Sequence, residues 1–151
     1  MSIRRKKFLF LALTAANLAL IWGNSLMTGE SSGSFSGAVV AFLSRFLPFF
    51  SGEMGHTLLR KLAHFSEFAC LGLLMGTTLR LYGKPVFRAT GLGLAAACVD
   101  ETIQVFVPDR GPSPIDIWID TCGVTAGIAI VLIGYHYIRK KHKRNNLEET
   151  T

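Results

Sequence analysis

The chain has 151 residues, half of them hydrophobic and 17% charged, and its mean hydropathy is +0.38. This length suits a single domain covering residues 1–151, and the apolar residues form long runs without the polar face of a soluble helix. A net charge of +6 could indicate a nucleic-acid partner, but the basic residues are grouped at the ends of apolar runs, which argues against nucleic acid.

The first apolar run follows a basic head. Residues 4–7 are Arg-Arg-Lys-Lys, and nearly every residue from 8 to 23 is apolar. Signal peptides also have such a head and core, but this core is long and lacks a small-x-small cleavage site. We therefore predict an uncleaved membrane span over about 8–27, with a cleaved signal peptide as the alternative.

A polar loop and a short amphipathic segment follow the first span. The stretch MTGESSGSFSG is rich in Gly and Ser, which is typical of a loop. Over residues 35–50, phenylalanines and aliphatic residues fall on one helical face, and the run is too short to cross a bilayer. We predict a helix that lies in the outer interface and either roofs the bundle or acts as a lid for a substrate lipid.

Three further apolar runs predict membrane spans over about 58–80, 86–107 and 113–138. Each approaches the roughly 20 residues that a helix needs to cross hydrocarbon. The predicted fold class is an all-α membrane protein, with four transmembrane helices in a bundle plus the short outer interfacial helix. The spacing of Gly72 and Gly76, and of Gly123 and Gly127, is a small-xxx-small pattern that allows helices to pack closely.

The charges give these spans an orientation. With four crossings, twelve of the sixteen basic residues lie on one side, and most acidic residues lie in the outer half or the outer loops. The positive-inside rule makes the basic side the cytoplasm, so we predict a multi-pass protein of the cell membrane with both termini cytoplasmic. The twelve basic residues are Arg4, Arg5, Lys6, Lys7, Arg80, Lys84, Arg88, Arg139, Lys140, Lys141, Lys143 and Arg144.

The three cysteines, Cys70, Cys98 and Cys122, lie in three different predicted spans. An odd number of cysteines without a CxxC pair argues against a disulfide framework and against a zinc knuckle. We expect all three to be small packing residues buried between helices.

Ionisable and polar residues interrupt the outer parts of the second, third and fourth spans. With a rise of 1.5 Å per residue, they reach one level, roughly 5–13 Å below the outer surface. Residues three or four positions apart share a helix face. The turn VPDRGPSPID, between the third and fourth spans, places its arginine at the outer end of this polar group. The predicted group is Lys61, His64, Glu67, Asp100, Glu101, Gln104, Arg110, Asp116 and Asp120.

The carboxylates of this group outnumber its bases. Such a surplus of negative charge favours the binding of a cation, a shared proton or a cationic group of a ligand. Asp and Glu oxygens with one imidazole suit a divalent cation such as Mg, Mn, Ca or Zn, and His64 with a carboxylate could instead perform acid–base hydrolysis without metal. Buried ion pairs that only fix the register of the helices are the alternative without a ligand.

The same residues resemble the motifs of the VanZ-like family of bacterial membrane proteins. RKLAHFSEFACLGLL is similar to the family pattern K-x-x-H-F-x-E-Y-x-x-L-G, with Phe68 in place of the usual Tyr. DETIQVFVPDRGPSPIDIWIDTCGVTAG is similar to D-E-x-x-Q-x-F-x-x-x-R followed by D-x-x-x-(D/N)-x-x-G. The resemblance covers about residues 58–130, without the first span. It implies a protein of the bacterial cell envelope, and the founding member of the family is associated with low-level resistance to teicoplanin.

Two functions remain open. In the first, which we favour, the protein binds a lipid-linked cell-wall precursor or a lipoglycopeptide such as teicoplanin at the outer leaflet, with Lys61, Gln104 and Arg110 as ligand-binding residues. In the second, it is a metal-assisted hydrolase or transferase acting on a phospholipid or polyprenyl-phosphate head group. For this second function the candidate catalytic residues are His64, Glu67 and Glu101, and the candidate metal ligands are Asp100, Asp116 and Asp120.

Overall fold

The computed structural model of the protein describes residues 1–28, 37, 40–42, 44–46 and 52–148. This described part of the chain is helical and contains no strand. Its four long helices are α1 (Ile3–Ser25), α2 (Gly52–Leu81), α3 (Arg88–Val105) and α4 (Pro114–Glu148). The predicted loop and the predicted interfacial helix over 35–50 lie largely outside the described residues. Within 35–50, the described residues 37 and 40–42 are helical.

A tight turn joins α2 to α3. Gly83 has a φ of 69°, a left-handed conformation that glycine adopts without steric cost. Its N–H donates to the Arg80 carbonyl (2.9 Å), and the Lys84 N–H donates to the Leu79 carbonyl (2.8 Å). This pair of hydrogen bonds is the Schellman pattern that ends a helix. Because the connection is short, α3 returns alongside α2 in the opposite direction.

The turn between α3 and α4 fixes the start of α4 and therefore the position of Asp116. Asp109 has a φ of 58°, a conformation that Asp tolerates better than most residues. The Ser113 hydroxyl then caps α4 by accepting a hydrogen bond from the Asp116 N–H (3.3 Å), and Pro114 occupies the first helical position, where its missing N–H costs nothing. Asp116 therefore lies in the first turn of α4, beside the turn.

Helices α2 and α4 pack at very short distance through three glycines. A Cβ on Gly72 would meet the backbone of Val124, a Cβ on Gly123 would meet the Phe65 carbonyl, and a Cβ on Gly127 would meet the Ala69 backbone. The close packing that the glycine spacing predicts is therefore confirmed at Gly72, Gly123 and Gly127. Gly76 makes only ordinary van der Waals contacts.

The apolar core lies below the polar residues, where all four helices meet. Its most buried side chains include Phe68 and Leu71 of α2, Val124 of α4 and Ile21 of α1. Helix α1 is also held by the Trp22 indole, whose Nε1 donates to the Ala96 carbonyl of α3 (3.3 Å). These contacts bring the end of α1 against α3, at the level of the predicted site.

Three of the described helices are long and apolar enough to cross a membrane: Ile3–Ser25, Glu53–Leu81 and Pro114–Asn146. Large apolar side chains such as Phe8, Leu92 and Trp118 are exposed on the outside of the bundle, as expected for a surface that contacts lipid. Helix α3 differs, because its 18 residues extend only about 27 Å and include Asp100 and Glu101. The crossing of the membrane by all four helices therefore stays a prediction.

Helices α2 and α4 extend beyond the predicted membrane spans, which stay predictions. Helix α2 begins at Gly52 and α4 continues to Glu148, because polar residues can extend a helix beyond its apolar part. The prediction that the cysteines are buried is wrong, since Cys70, Cys98 and Cys122 are all exposed. A thiol behaves as a small apolar group, so it suits the outer surface of a membrane bundle as well as its interior.

Candidate functional site

Three helices bring His64, Asp100 and Asp120 together, and we call these residues the acid–histidine cluster. They lie on α2, α3 and α4, respectively. The His64 Nδ1 atom lies 3.6 Å from Asp120 Oδ1 and 4.0 Å from Asp100 Oδ2. Both carboxylates are fully buried, and His64 is 9% exposed. One ligand atom from each residue lies within 4.8 Å of the other two, so these three residues could hold a metal ion.

Two neutral side chains hold the Asp100 carboxylate. The Ser25 hydroxyl, at the end of α1, donates to Oδ1 (2.6 Å), and the Gln104 amide, one turn further along α3, donates to Oδ2 (3.1 Å). Both side chains are buried. The spacing of Asp100 and Gln104 predicts that they share a face, whereas Ser25 lies outside the predicted group. Helix α1 is therefore the fourth helix of the site.

Basic side chains lie next to Asp116, and we call Arg60, Lys61 and Arg110 the basic rim. The distance from Arg60 Nη2 to Asp116 Oδ2 is 3.5 Å, and that from Lys61 Nζ to Asp116 Oδ1 is 3.9 Å. The Asp116 side chain is 4% exposed, whereas those of Arg60 and Lys61 are 50% and 32% exposed. Such exposed ion pairs add little stability, but they leave two cations beside one carboxylate.

Arg110, in the turn between α3 and α4, is the third member of the basic rim. Its side chain is partly buried, and burial lowers the pKa of its guanidinium, with the nearby charge of Arg60 lowering it further. The carboxylates of Asp100 and Glu101 act in the opposite direction, and an arginine stays protonated in a protein. Arg110 is thus a permanent positive charge near both Arg60 and the buried acids.

The two glutamates of the predicted group bind uncharged donors. Glu101, which is 4% exposed, accepts a hydrogen bond from the Ser113 N–H through Oε2 (2.6 Å), so it fixes the start of α4 against the end of α3. Glu67 accepts a hydrogen bond from the Asn24 amide of α1 through Oε1 (2.7 Å). These contacts give Glu67 and Glu101, two of the three candidate catalytic residues, a role in joining helices.

Several buried polar atoms of the site have no hydrogen-bond partner among the described residues. Leaving such an atom unpaired in a protein interior costs about 1–3 kcal/mol. The site therefore favours an additional partner, such as water, a proton, a cation or a donor group of a ligand. The atoms are His64 Nδ1, Glu101 Oε1, Asp116 Oδ1 and both carboxylate oxygens of Asp120.

The structure divides the predicted metal ligands Asp100, Asp116 and Asp120 into two groups. Asp120 and Asp100 lie with His64, whereas Asp116 lies with Arg60 and Lys61. The reason is the register of α2 and α4, which run in the same direction through the site. One turn separates Arg60 from His64 on α2, and one turn separates Asp116 from Asp120 on α4, so each acid faces a different turn of α2.

Three contributors to the site lie outside the predicted group: Asn24 and Ser25 of α1, and Arg60 of α2. The sequence does indicate Asn24 and Ser25, because they are adjacent polar residues at the outer end of the first span. Arg60 directly precedes Lys61 and approaches Asp116 more closely than Lys61 does. The first span, which the motif resemblance leaves out, therefore contributes hydrogen-bond donors to two acids of the site.

The fold and the site define a helical membrane protein whose ionisable groups are buried between helices instead of facing lipid. The profile of the VanZ/LLP1 family matches residues 8–135, and the chain therefore belongs to the VanZ-like family. This match extends the resemblance from residues 58–130 to α1, the helix that supplies Asn24 and Ser25. No curated protein and no solved structure matches the chain significantly.

Proposed function

We propose that all four helices cross the cell membrane, with both termini in the cytoplasm and the site opening toward the outer side. The charges support this arrangement, since the basic residues before α1, around the turn between α2 and α3, and in the last part of α4 then share one side. Helix α3 contains Asp100 and Glu101, but both are buried within the bundle, which lowers the cost of placing this helix in the bilayer.

The function that the geometry supports best is binding of an anionic head group, such as a phosphate, at the basic rim. The observation that carries this proposal is that Arg60 and Lys61 share one buried carboxylate, Asp116, while both remain partly exposed. Arg60 and Lys61 place two positive charges next to one negative charge, so one positive charge remains there for a ligand, and Arg110 lies near Arg60. Arg and Lys are the side chains that bind phosphate oxygens in proteins.

In a membrane, such a head group arrives on a lipid. Lys61 also lines an open groove along the first turns of α2, together with Glu53, Met54, Thr57 and Leu58, and a lipid would reach the basic rim along this side. Membership in the VanZ-like family supports two ligand sources in the bacterial cell envelope. These are a lipid-linked cell-wall precursor and a lipoglycopeptide such as teicoplanin.

The double substitution Arg60→Gln/Lys61→Gln is expected to weaken binding of a polyprenyl phosphate by about 10-fold or more, because each hydrogen bond to a charged group contributes about 1.5–3 kcal/mol. The measurement is a titration of the full chain, reconstituted in phosphatidylcholine nanodiscs, with a short polyprenyl phosphate, read by native mass spectrometry. Teicoplanin is then added as a competitor. Displacement of the phosphate lipid assigns both ligands to the basic rim, and its absence restricts the site to the lipid-linked phosphate.

The matched control is Lys140→Gln/Lys141→Gln, which removes the same charge from exposed positions near the other end of α4. This control is expected to bind like the wild type. Because removing both bases leaves Asp116 unpaired, the triple variant that also contains Asp116→Asn checks that lost binding does not reflect lost folding. Equal affinity of the wild type and the double variant, or no binding by the wild type, contradicts the proposal.

A second candidate function is hydrolysis of the bound head group, and the 3.6 Å distance from His64 to Asp120 favours it. An imidazole beside a carboxylate can act as a general base. In a cluster without metal, His64 would take a proton from a water molecule as the water oxygen bonds to phosphorus, and would return that proton to the oxygen of the leaving group as its bond to phosphorus breaks. Release of inorganic phosphate in the same titration distinguishes hydrolysis from binding alone.

A further inference from the structure

We propose that the acid–histidine cluster is a site for one divalent transition-metal ion. The ligands are His64 Nδ1 and one carboxylate oxygen each from Asp100 and Asp120. This set differs from the one that the sequence predicts, because His64 replaces Asp116. The proposal does not depend on head-group binding, since none of the three residues belongs to the basic rim.

The two distances from His64 to the carboxylates are those expected of atoms that share an ion. A hydrogen bond joins nitrogen and oxygen at about 2.7–3.2 Å, and the two distances from His64 Nδ1, 3.6 Å and 4.0 Å, are longer. Two ligands that each lie about 2.1 Å from one ion are between about 3.0 and 4.2 Å apart, depending on the angle at the metal. Both distances from His64 fall within this range.

The charge of the cluster also favours a cation. Asp100 and Asp120 are fully buried, and among the described residues the only ion-pair partner of either acid is His64. Both Asp120 oxygens lack a hydrogen-bond partner in this part of the chain. Two buried carboxylates without a compensating charge are very costly, and one divalent ion neutralises both.

The residues around Asp100 have the arrangement of outer-shell groups at a metal site. The Ser25 hydroxyl donates to Oδ1 and the Gln104 amide donates to Oδ2, which fixes the carboxylate plane, and a carboxylate oxygen has a second lone pair for a further partner. Hydrogen-bond partners of this kind orient ligands at metal sites. One imidazole nitrogen with two carboxylate oxygens suits Mn²⁺ or Zn²⁺ better than Ca²⁺, which takes oxygen ligands.

The test uses the full chain in detergent, stripped with a chelator and then titrated with Mn²⁺. The wild type is expected to bind a single Mn²⁺ whose pulsed electron paramagnetic resonance spectrum contains a coupling to a ¹⁴N nucleus. In His64→Gln this nitrogen coupling is expected to disappear. Asp120→Asn is expected to weaken Mn²⁺ binding by at least about 10-fold, since even outer-shell substitutions cost about 10- to 100-fold in affinity.

The matched control is Asp109→Asn, which makes the same chemical change at an exposed turn residue, and it is expected to bind like the wild type. Asn tolerates the positive φ of this position. Three results overturn the proposal: no Mn²⁺ or Zn²⁺ binding by the wild type, a nitrogen coupling that persists in His64→Gln, or equal affinity of Asp120→Asn and the wild type. The wild-type result stands even if a variant does not fold.

Discussion

Gly127→Ala is expected to destabilise the protein by about 3 kcal/mol, because the added methyl group would meet backbone atoms of α2 that cannot move aside. A Cβ at this position contacts the Ala69 carbonyl and the Leu73 nitrogen. The two helices can accept the methyl group only by separating, and this separation also displaces Asp120 from His64. The measurement is the free energy of unfolding in mixed detergent micelles, with sodium dodecyl sulfate as the denaturant.

The same substitution two turns later on α4 provides the control. Nothing lies within 4 Å of a Cβ at Gly134, so Gly134→Ala is expected to leave stability unchanged or to raise it by up to about 1 kcal/mol, the difference in helix propensity between Gly and Ala. Of the two substitutions, Gly127→Ala alone is thus expected to destabilise the protein. A Gly127→Ala protein as stable as the wild type contradicts the close packing of α2 and α4.

Ser25→Ala is the second substitution with a large expected effect, a loss of about 1–3 kcal/mol. The Ser25 hydroxyl donates to the fully buried Asp100 carboxylate at 2.6 Å, and the variant leaves one carboxylate oxygen without this donor. Because Ser25 is on α1 and Asp100 on α3, the loss also weakens the attachment of α1. The measurement is again the free energy of unfolding in mixed micelles.

Ser66→Ala is the control for this prediction. Ser66 is exposed, and among the described residues its hydroxyl donates to the Leu62 carbonyl of its own helix (2.7 Å), an interaction that contributes little to helix stability. Its replacement is expected to change the unfolding free energy by less than about 0.5 kcal/mol. Similar losses of unfolding free energy in Ser25→Ala and Ser66→Ala would contradict a stabilising role for the contact between Ser25 and Asp100.

The sequence predicts the helical class and the level of the site because both depend on local properties. Apolar runs set the approximate positions of the helices, and the rise per residue sets the depth of a side chain along its helix. His64 and Asp120 could therefore be assigned to one level without knowledge of the fold. The close contact at Gly127 was also available from the spacing of small residues.

The grouping of the acids could not be predicted from the sequence, because it depends on which turn of one helix faces which turn of another. A depth estimate does not separate Asp116 from Asp120, which are one turn apart. The register of α2 against α4 separates them, since it places Arg60 at Asp116 and His64 at Asp120. The contribution of Ser25 likewise depends on how α1 packs, which its nearly uniform apolar surface does not indicate.

The division of the site into a basic rim and an acidic interior follows from the same register. A positive surplus around Asp116 can receive an anion, while the negative surplus of Asp100 and Asp120 can receive a cation. The two proposals, head-group binding and metal binding, therefore concern different residues. Substitutions at Arg60 and Lys61 test the first without altering any ligand atom of the second.

The central claim is that His64 lies beside Asp100 and Asp120, which are distant in the chain. Nuclear magnetic resonance of the histidine side chains tests this contact most directly. In protein labelled with ¹⁵N at its four histidines, the His64 resonances are identified by their loss in His64→Gln. We expect the His64 Nδ1 resonance to shift in both Asp100→Asn and Asp120→Asn, and to keep its position in Asp109→Asn. A His64 resonance that is the same in all three variants and the wild type would show that α2, α3 and α4 do not bring these groups together.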